Sequence, residues 1–298
     1  MTDTKIKLFE NFRALFYAPY YAAFEIGAYE RENVTVEFAT MDAPGDGLAA
    51  IEAGAEAITW GGPMRVLLDH EKNPDSELVS FCEVVGKDPF LVIGREPKPD
   101  FKPSDLVDIR FASFLEAPTP WMCLQEDLRR AGIDPGSLDR IGDRGIAENM
   151  RAFNAGEIDA IQILEPFAQI LLESGQGHIW YQQAKRGPCS YTTFYGKREL
   201  LDKFPGELRA MTAAMVHTLE WIYEVMPEEV VETISPFFPD QDKAQLAAAI
   251  ARYKSVELWN KKPTLDVTGF ERLRTSLLSG DFIGREVPYN EMVDTRFD

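Results

Sequence analysis

The sequence predicts an α/β protein of two similar lobes joined by a hinge, with a helical return at its C-terminal end. Three observations carry this. In DGLAAIEAGAEAITWGGPM, Asp46 to Met64, the residues Leu48, Ile51 and Ala55 recur at helical spacing, and Gly54 suits the left-handed residue that ends a helix. Ala57 to Trp60 is an apolar run long enough for one buried strand; Gly61, Gly62 and Pro63 break it, with Pro63 placed as the first residue of a new helix. Further on, NMRAFNAGEIDAIQILEPF repeats the unit: Met150, Phe153 and Ala155 lead to Gly156, Ala160 to Leu164 is the strand, and Glu165-Pro166 opens the next helix. Finally, Leu208–Tyr223, Pro227–Ile234, Asp242–Tyr253 and Gly269–Leu278 each carry apolar residues at a period of about 3.6. A helix feeding a buried strand that ends in a Gly-rich crevice is where open α/β sheets bind small molecules.

The elements follow in order from the same signals. Lys5 to Phe9 is a strand, Asn11 to Tyr21 an aromatic loop, and a helix runs to about Ala28 beside Gly27. Val34 to Ala39 alternates as the second strand, and Met41 to Gly45 is the loop into the first repeated unit. Met64 to Asp69 is helical; Leu78 to Val84 and Phe90 to Ile93 are strands. EPKPDFKPSD, residues 96–105, is rich in Pro and charge and is expected to cross between lobes. Leu106 to Ala112 starts a fresh strand, Phe114 to Pro120 is a loop, and Trp121 to Ala131 is a helix closed by Gly132. After the second unit, Ile179 to Gln182 and Thr192 to Tyr195 are strands, with the return crossing between them in AKRGPCS. The expected organisation is residues 1–97 and 191–298 for the first lobe, with Trp259 and the C-terminal tail packing back on it, and 98–190 for the second.

Composition bounds the function. The 298 residues leave room for two compact domains and a sizeable core. Net charge is −18, from 49 acidic and 31 basic residues, with no basic cluster to neutralise phosphates, which argues against a nucleic-acid partner. An anion site therefore has to be local. No stretch approaches the roughly 20 apolar residues of a membrane-spanning helix. Cys82, Cys123 and Cys189 are widely spaced, odd in number and without ligand spacing, and read as small buried residues, so neither a metal site nor a disulfide framework is expected; no cofactor is expected either. His70, in LLDHEKNPD, reads as part of a solvated helix end. MTDTKIKLFENF shows no export signal; the expectation is a periplasmic chain if a leader has been removed, and a cytoplasmic one otherwise.

Nearly the whole chain resembles the SsuA/THI5-like (NMT1-type) family, carried by Phe12–Tyr20, Phe24-Glu25-Ile26-Gly27-Ala28-Tyr29, Val34–Phe38 and Leu48–Pro63 in the first lobe. In the second it is carried by Ser104–Arg110, where Asp108 replaces the usual Gly, by Ala117–Trp121 with Leu124, Leu128 and Gly132–Pro135, and by Ala152–Pro166. The resemblance implies a periplasmic-binding-protein-like type II fold. It also implies a substrate-binding role, with an ABC permease as partner, for solutes such as nitrate, sulfonates, taurine or pyrimidine-like compounds. The family's thiamine-pyrimidine synthases carry a Cys-rich iron-binding stretch, and this chain has no Cys cluster.

Four loops are expected to face the cleft: Asn11 to Tyr20, Met41 to Gly45 with Asp42, Trp60 to Met64 through Gly61 and Gly62, and Phe114 to Trp121. Phe12, Phe16, Tyr17, Tyr20, Trp60 and Trp121 suit a flat aromatic or heterocyclic ligand, or alternatively fill the core. Thr119-Pro120 reads as an N-cap and first helical position whose free N–H groups would hold a carboxylate, sulfonate or phosphate. Arg13 is either a bidentate partner for a carboxylate or half of a salt bridge. Glu83, Glu116 and Glu165, near strand ends, are candidates for acid–base work or for binding ring nitrogens or an amine. No nucleophile–base pair is evident. The expected function is capture of a small solute by lobe closure; the alternative is a decarboxylase, a lyase or a thiamine-pyrimidine-synthase-like enzyme on the same scaffold.

Overall fold

The computed structural model describes residues 5–297. The first part of the chain forms β1 (Lys5–Phe9), α1 (Ala18–Glu25), α2 (Ala28–Arg31), β2 (Thr35–Ala39), α3 (Asp46–Glu52), β3 (Ile58–Gly61), α4 (Met64–Lys72) and β4 (Leu78–Val85). There follow β5 (Leu91–Gly94), β6 (Arg110–Ala112), α5 (Thr119–Arg130), β7 (Asp139–Ile141), α6 (Ile146–Ala155), β8 (Ala160–Ile163), α7 (Phe167–Glu173) and β9 (His178–Gln182). The return holds β10 (Thr192–Lys197), α8 (Arg198–Lys203), α9 (Pro205–Glu224), α10 (Pro227–Ile234), α11 (Lys243–Ser255), α12 (Val267–Ser279) and α13 (Tyr289–Met292).

Two five-stranded sheets share one topology, β2-β1-β3-β10-β4 and β7-β6-β8-β5-β9. In each, the second strand runs parallel to its two neighbours, and the fourth runs antiparallel to both of its own. That fourth strand is the one the chain supplies on arriving from the other lobe. The repeated units occupy equivalent places, with β3 and β8 in the middle of their sheets and buried along their length. Gly54 and Gly156 both take positive φ, +105° and +78°, where a side chain would be strained. Pro63 and Pro166 stand at the N-caps of α4 and α7, one position earlier than a first helical residue.

Alternation sorts side chains onto the two faces of each sheet. In the second, Leu91, Ile93, Ile161 and Ile163 join Phe153 and Leu171 from α6 and α7, whereas Val92 and Ala160 join Leu124 and Leu128 from α5. The C-terminal helices span both lobes. α11 packs on α7, where Gln245 Nε2 donates to Glu173 Oε2 at 2.8 Å, and α12 packs on α5. Trp259 and the tail return to the first lobe: Trp259 Nε1 donates to the Phe16 carbonyl at 2.8 Å, and Asp294 N to that of Ser80 at 2.9 Å. Among the described residues no helix is long and apolar enough to cross a membrane.

Four local readings change. Leu91–Gly94 already pairs in the second sheet, so the chain passes between sheets over residues 86–90, ahead of EPKPDFKPSD; the return passage matches AKRGPCS. The strand expected from Leu106 is confined to β6, because Pro103–Leu106 is a 3₁₀ turn and Asp108 takes φ +64°. That conformation explains why Gly is the usual residue there and why Asp, which tolerates it, can substitute. The short edge strand β7 carries no alternating pattern and was not expected. His70 is buried rather than solvated, with Nε2 at 2.8 Å from the Leu78 carbonyl.

Candidate functional site

A cleft opens between the lobes, lined by residues of both and of the two crossings. The first lobe contributes Asn11, Phe12, Phe16 and Tyr17 from the segment after β1, and Gly62, Met64 and Arg65 from the turn into α4. The second contributes Ala117, Pro118 and Thr119 at the start of α5, and the crossings bring Phe90 and Tyr191. The aromatic residues brace one another. Phe12 meets Phe16 and Tyr17 edge-on at 6.0 and 5.4 Å, and Phe16 and Phe90 meet Tyr191 at 6.3 and 6.2 Å.

Polar groups are set into this apolar wall. Asn11 accepts from Gly45 N at 3.1 Å and donates to the Tyr17 hydroxyl at 3.2 Å, which fixes the amide. Burial pushes the Tyr17 and Tyr191 phenols well above their ordinary range, so both remain neutral donors at physiological pH. The Tyr191 hydroxyl is buried and has no hydrogen-bond partner among the described residues. The guanidinium of Arg65, half-buried in the first turn of α4, makes neither a hydrogen bond nor an ion pair with any described residue, while its backbone N–H donates to the Gly62 carbonyl at 3.0 Å. Opposite it, Thr119 is the first residue of α5, with Pro118 as N-cap and no capping side chain. Pro120 has no N–H, and those of Thr119 and Trp121 donate to no described residue, so the positive end of a twelve-residue helix faces the cleft.

Of the residues expected at the site, Phe12, Phe16, Tyr17, Gly62, Met64 and Thr119 come together on these walls. The others lie elsewhere. Trp60 is fully buried in the first lobe's core, stacked between Tyr20 at 4.8 Å and Phe38 at 5.6 Å. Gly61 lies just behind the wall, where a Cβ would come within 3.0 Å of the Tyr195 hydroxyl and 3.2 Å of Asn11. Trp121 packs on Phe111 in the second lobe's core, with Arg140 over its ring at 4.5 Å. Arg13 forms a salt bridge with Glu10 at 2.5 Å and donates to the Phe237 carbonyl at 2.6 Å. Asp42 is exposed on the loop before α3.

The three glutamates also have other partners. Glu116 is exposed and accepts from Ile146 N at 2.8 Å, capping α6. Glu165, buried at the end of β8, pairs across the lobes with Arg252 on α11 and accepts from Gln169 N at 3.0 Å. Glu83 is buried in β4, where Oε2 accepts from Asn260 Nδ2 at 2.7 Å; burial pushes its pKa up to about 7.

Asn11, Ala117 and Pro118 belong to loops expected to face the cleft, whereas Arg65, Phe90 and Tyr191 lie outside all four. Phe90 lies on the passage at residues 86–90, ahead of the stretch whose composition points to a crossing, and Arg65 is a basic residue on an amphipathic helix, an ordinary pattern. Beneath the cleft, Arg186 joins the two crossings and α5: it pairs with Asp88 at 2.7 Å and with Asp127 at 2.5 Å. Asp88 accepts from Gln183 at 2.7 Å, Gln183 from Gln162 at 2.8 Å, and Gln162 also donates to the Pro120 carbonyl at 2.8 Å. The start of α5 is thereby tied to the hinge.

Comparison with known proteins gives consistent matches. YtlA of Bacillus subtilis (strain 168) is 24% identical over 295 residues, covering 98% of this chain and 88% of its own. The periplasmic aliphatic sulphonate binding protein SsuA from Escherichia coli superposes with a TM-score of 0.77 at 14% identity, covering 97% of each chain. The desulfurization enzyme DSZB superposes with a TM-score of 0.68 at 13% identity, covering 98% of this chain and 96% of its own. The two-lobed fold is therefore that of the periplasmic binding proteins. A family model described as NMT1/THI5 like matches residues 16–229, and the chain belongs to the NMT1/THI5-like family.

Proposed function

We propose that the chain is the substrate-binding component of an ABC-type import system and that it captures a small anionic solute with a flat apolar or heterocyclic body. The observation that carries this reading is Arg65, a guanidinium with no ion-pair partner among the described residues, which lines the same cleft as the start of α5. The two suit opposite sides of one carboxylate, sulfonate or phosphate. Asn11 and the Tyr191 hydroxyl add neutral donors, and Phe12, Phe16 and Tyr17 form the surface for the ligand's body. The polar groups of the walls are thus an amide, a guanidinium, phenols and helix N–H groups, a donor set that holds an anion. The likeness to SsuA supports an anionic solute, and family membership supports delivery to a permease from a periplasmic location.

A thermal-shift screen of sulfonates, aromatic carboxylates and pyrimidines, with each hit recovered and analysed by mass, tests the reading. A ligand at about 100 times its Kd stabilises by about 2.7 kcal/mol, and is expected back unchanged. A ligand recovered altered would establish an enzyme instead, as the likeness to DSZB allows. Stabilisation only by cations would overturn the anion assignment.

A further inference from the structure

The most informative feature outside the cleft is a pair of thiols. Cys123 and Cys189 are each fully buried, and their Sγ atoms lie 3.8 Å apart. They belong to different parts of the fold: Cys123 is on α5 in the second lobe, and Cys189 is on the return crossing into β10. Cys123 is one helical turn beyond Thr119, and Cys189 is two residues before Tyr191, so the pair joins two elements that wall the cleft. A disulfide needs the sulfurs at about 2.05 Å, so forming one brings them about 1.8 Å closer.

We propose that Cys123 and Cys189 form a reversible disulfide that locks the start of α5 to the return crossing and holds the cleft in one geometry. The oxidant is a small-molecule disulfide. One protein thiolate attacks a sulfur of oxidised glutathione, whose S–S bond breaks, and one glutathione thiolate leaves. The other protein thiolate attacks the first protein sulfur and expels the second glutathione. The protein gives up two electrons and two protons, and the small disulfide is reduced to two thiols. The hydrogen bond between the thiols and their burial push Cys189 well above its ordinary pKa, while Arg186 pulls the other way. The exchange therefore proceeds from opened forms of the α5–crossing contact, or during folding. Cys82 lies in a separate part of the core and serves as an internal control.

The test is to equilibrate the full chain in glutathione redox buffers, quench with acid, and count thiols after denaturation. The expected result is a fall from three thiols to one, with loss of the mass of two hydrogens and a Cys123–Cys189 cross-linked peptide on mapping. Retention of three thiols in fully oxidised glutathione, or a glutathione adduct without the cross-link, would overturn the pair. Mapping the wild-type chain needs no variant; in Cys82→Ser the thiol count is expected to fall from two to none. Hydrogen exchange then tests the lock. Oxidation is expected to slow exchange at the start of α5 and around Tyr191, and unchanged exchange at both would overturn it.

Discussion

Replacing Glu83 with Gln removes a charge that the fold resists. The side chain is buried in β4 beneath the C-terminal segment, where Oε2 accepts from Asn260 Nδ2 at 2.7 Å; Ser190 also lies against the carboxylate. Burial outweighs these hydrogen bonds and raises the pKa from 4.5 to about 7. In the unfolded chain the carboxyl loses its proton near the lower value. Between the two, the folded protein binds a proton that the unfolded chain has released, so stability falls as pH rises through this window. At about 1.4 kcal/mol per pH unit the loss amounts to about 3 kcal/mol by the upper end. Gln keeps the oxygen that Asn260 donates to, and its NH₂ can donate to the Ser190 hydroxyl. Glu83→Gln is therefore expected to match the wild type near pH 4 and to be more stable by up to about 3 kcal/mol near pH 8. Asp88 and Glu165 are raised as well, but both proteins share them, so they cancel in the difference. Urea unfolding of the two proteins across this range is the assay. Parallel stability curves would refute the assignment of a raised pKa to Glu83.

Four other substitutions separate binding from folding. Arg65→Ala is expected to weaken an anionic ligand by about 1.5–3 kcal/mol in calorimetric titration, the worth of a charged hydrogen bond, with little change in thermal midpoint. Arg13→Ala is expected to show the reverse, with unchanged affinity but lower stability by about 1–3 kcal/mol, since buried Glu10 loses its cation. Trp60→Ala empties the space between Tyr20 and Phe38 and is expected to cost about 3–5 kcal/mol in denaturant unfolding. Arg186→Met strands fully buried Asp88 and is expected to cost about 3–5 kcal/mol, partly recovered in a double variant with Asp88→Asn.

The two-lobed plan was legible because its punctuation is local chemistry. Gly54 and Gly156 end their helices in conformations that penalise a side chain, and Pro63 and Pro166 stand where a helix needs no N–H. Such signals act over a few residues and survive in the sequence. The crossing illustrates the opposite case. EPKPDFKPSD has a linker's composition, yet the passage between sheets is GKDPF, residues 86–90, whose Asp88 is fixed by Arg186, some hundred positions away. No local property of GKDPF announces that partner.

The aromatic residues show the same limit at the site itself. Phe12, Phe16 and Tyr17 reach the cleft, whereas Tyr20 and Trp60, with identical chemistry, turn into the core. What separates them is the direction each side chain takes from its element. α1 directs Tyr20 onto the buried ring of Trp60 in β3, and Phe38 from β2 closes the other face of that ring. At Gly61, next along β3, the hydroxyl of Tyr195 and the amide of Asn11 leave no room for a side chain. The chain is thus held close behind the cleft, and α4 starts where its first turn carries Arg65 to the wall. The aromatic stretch and the Gly-Gly-Pro turn, read separately in the sequence, meet in the fold on one wall, where Phe12, Phe16 and Tyr17 stand beside Gly62, Met64 and Arg65.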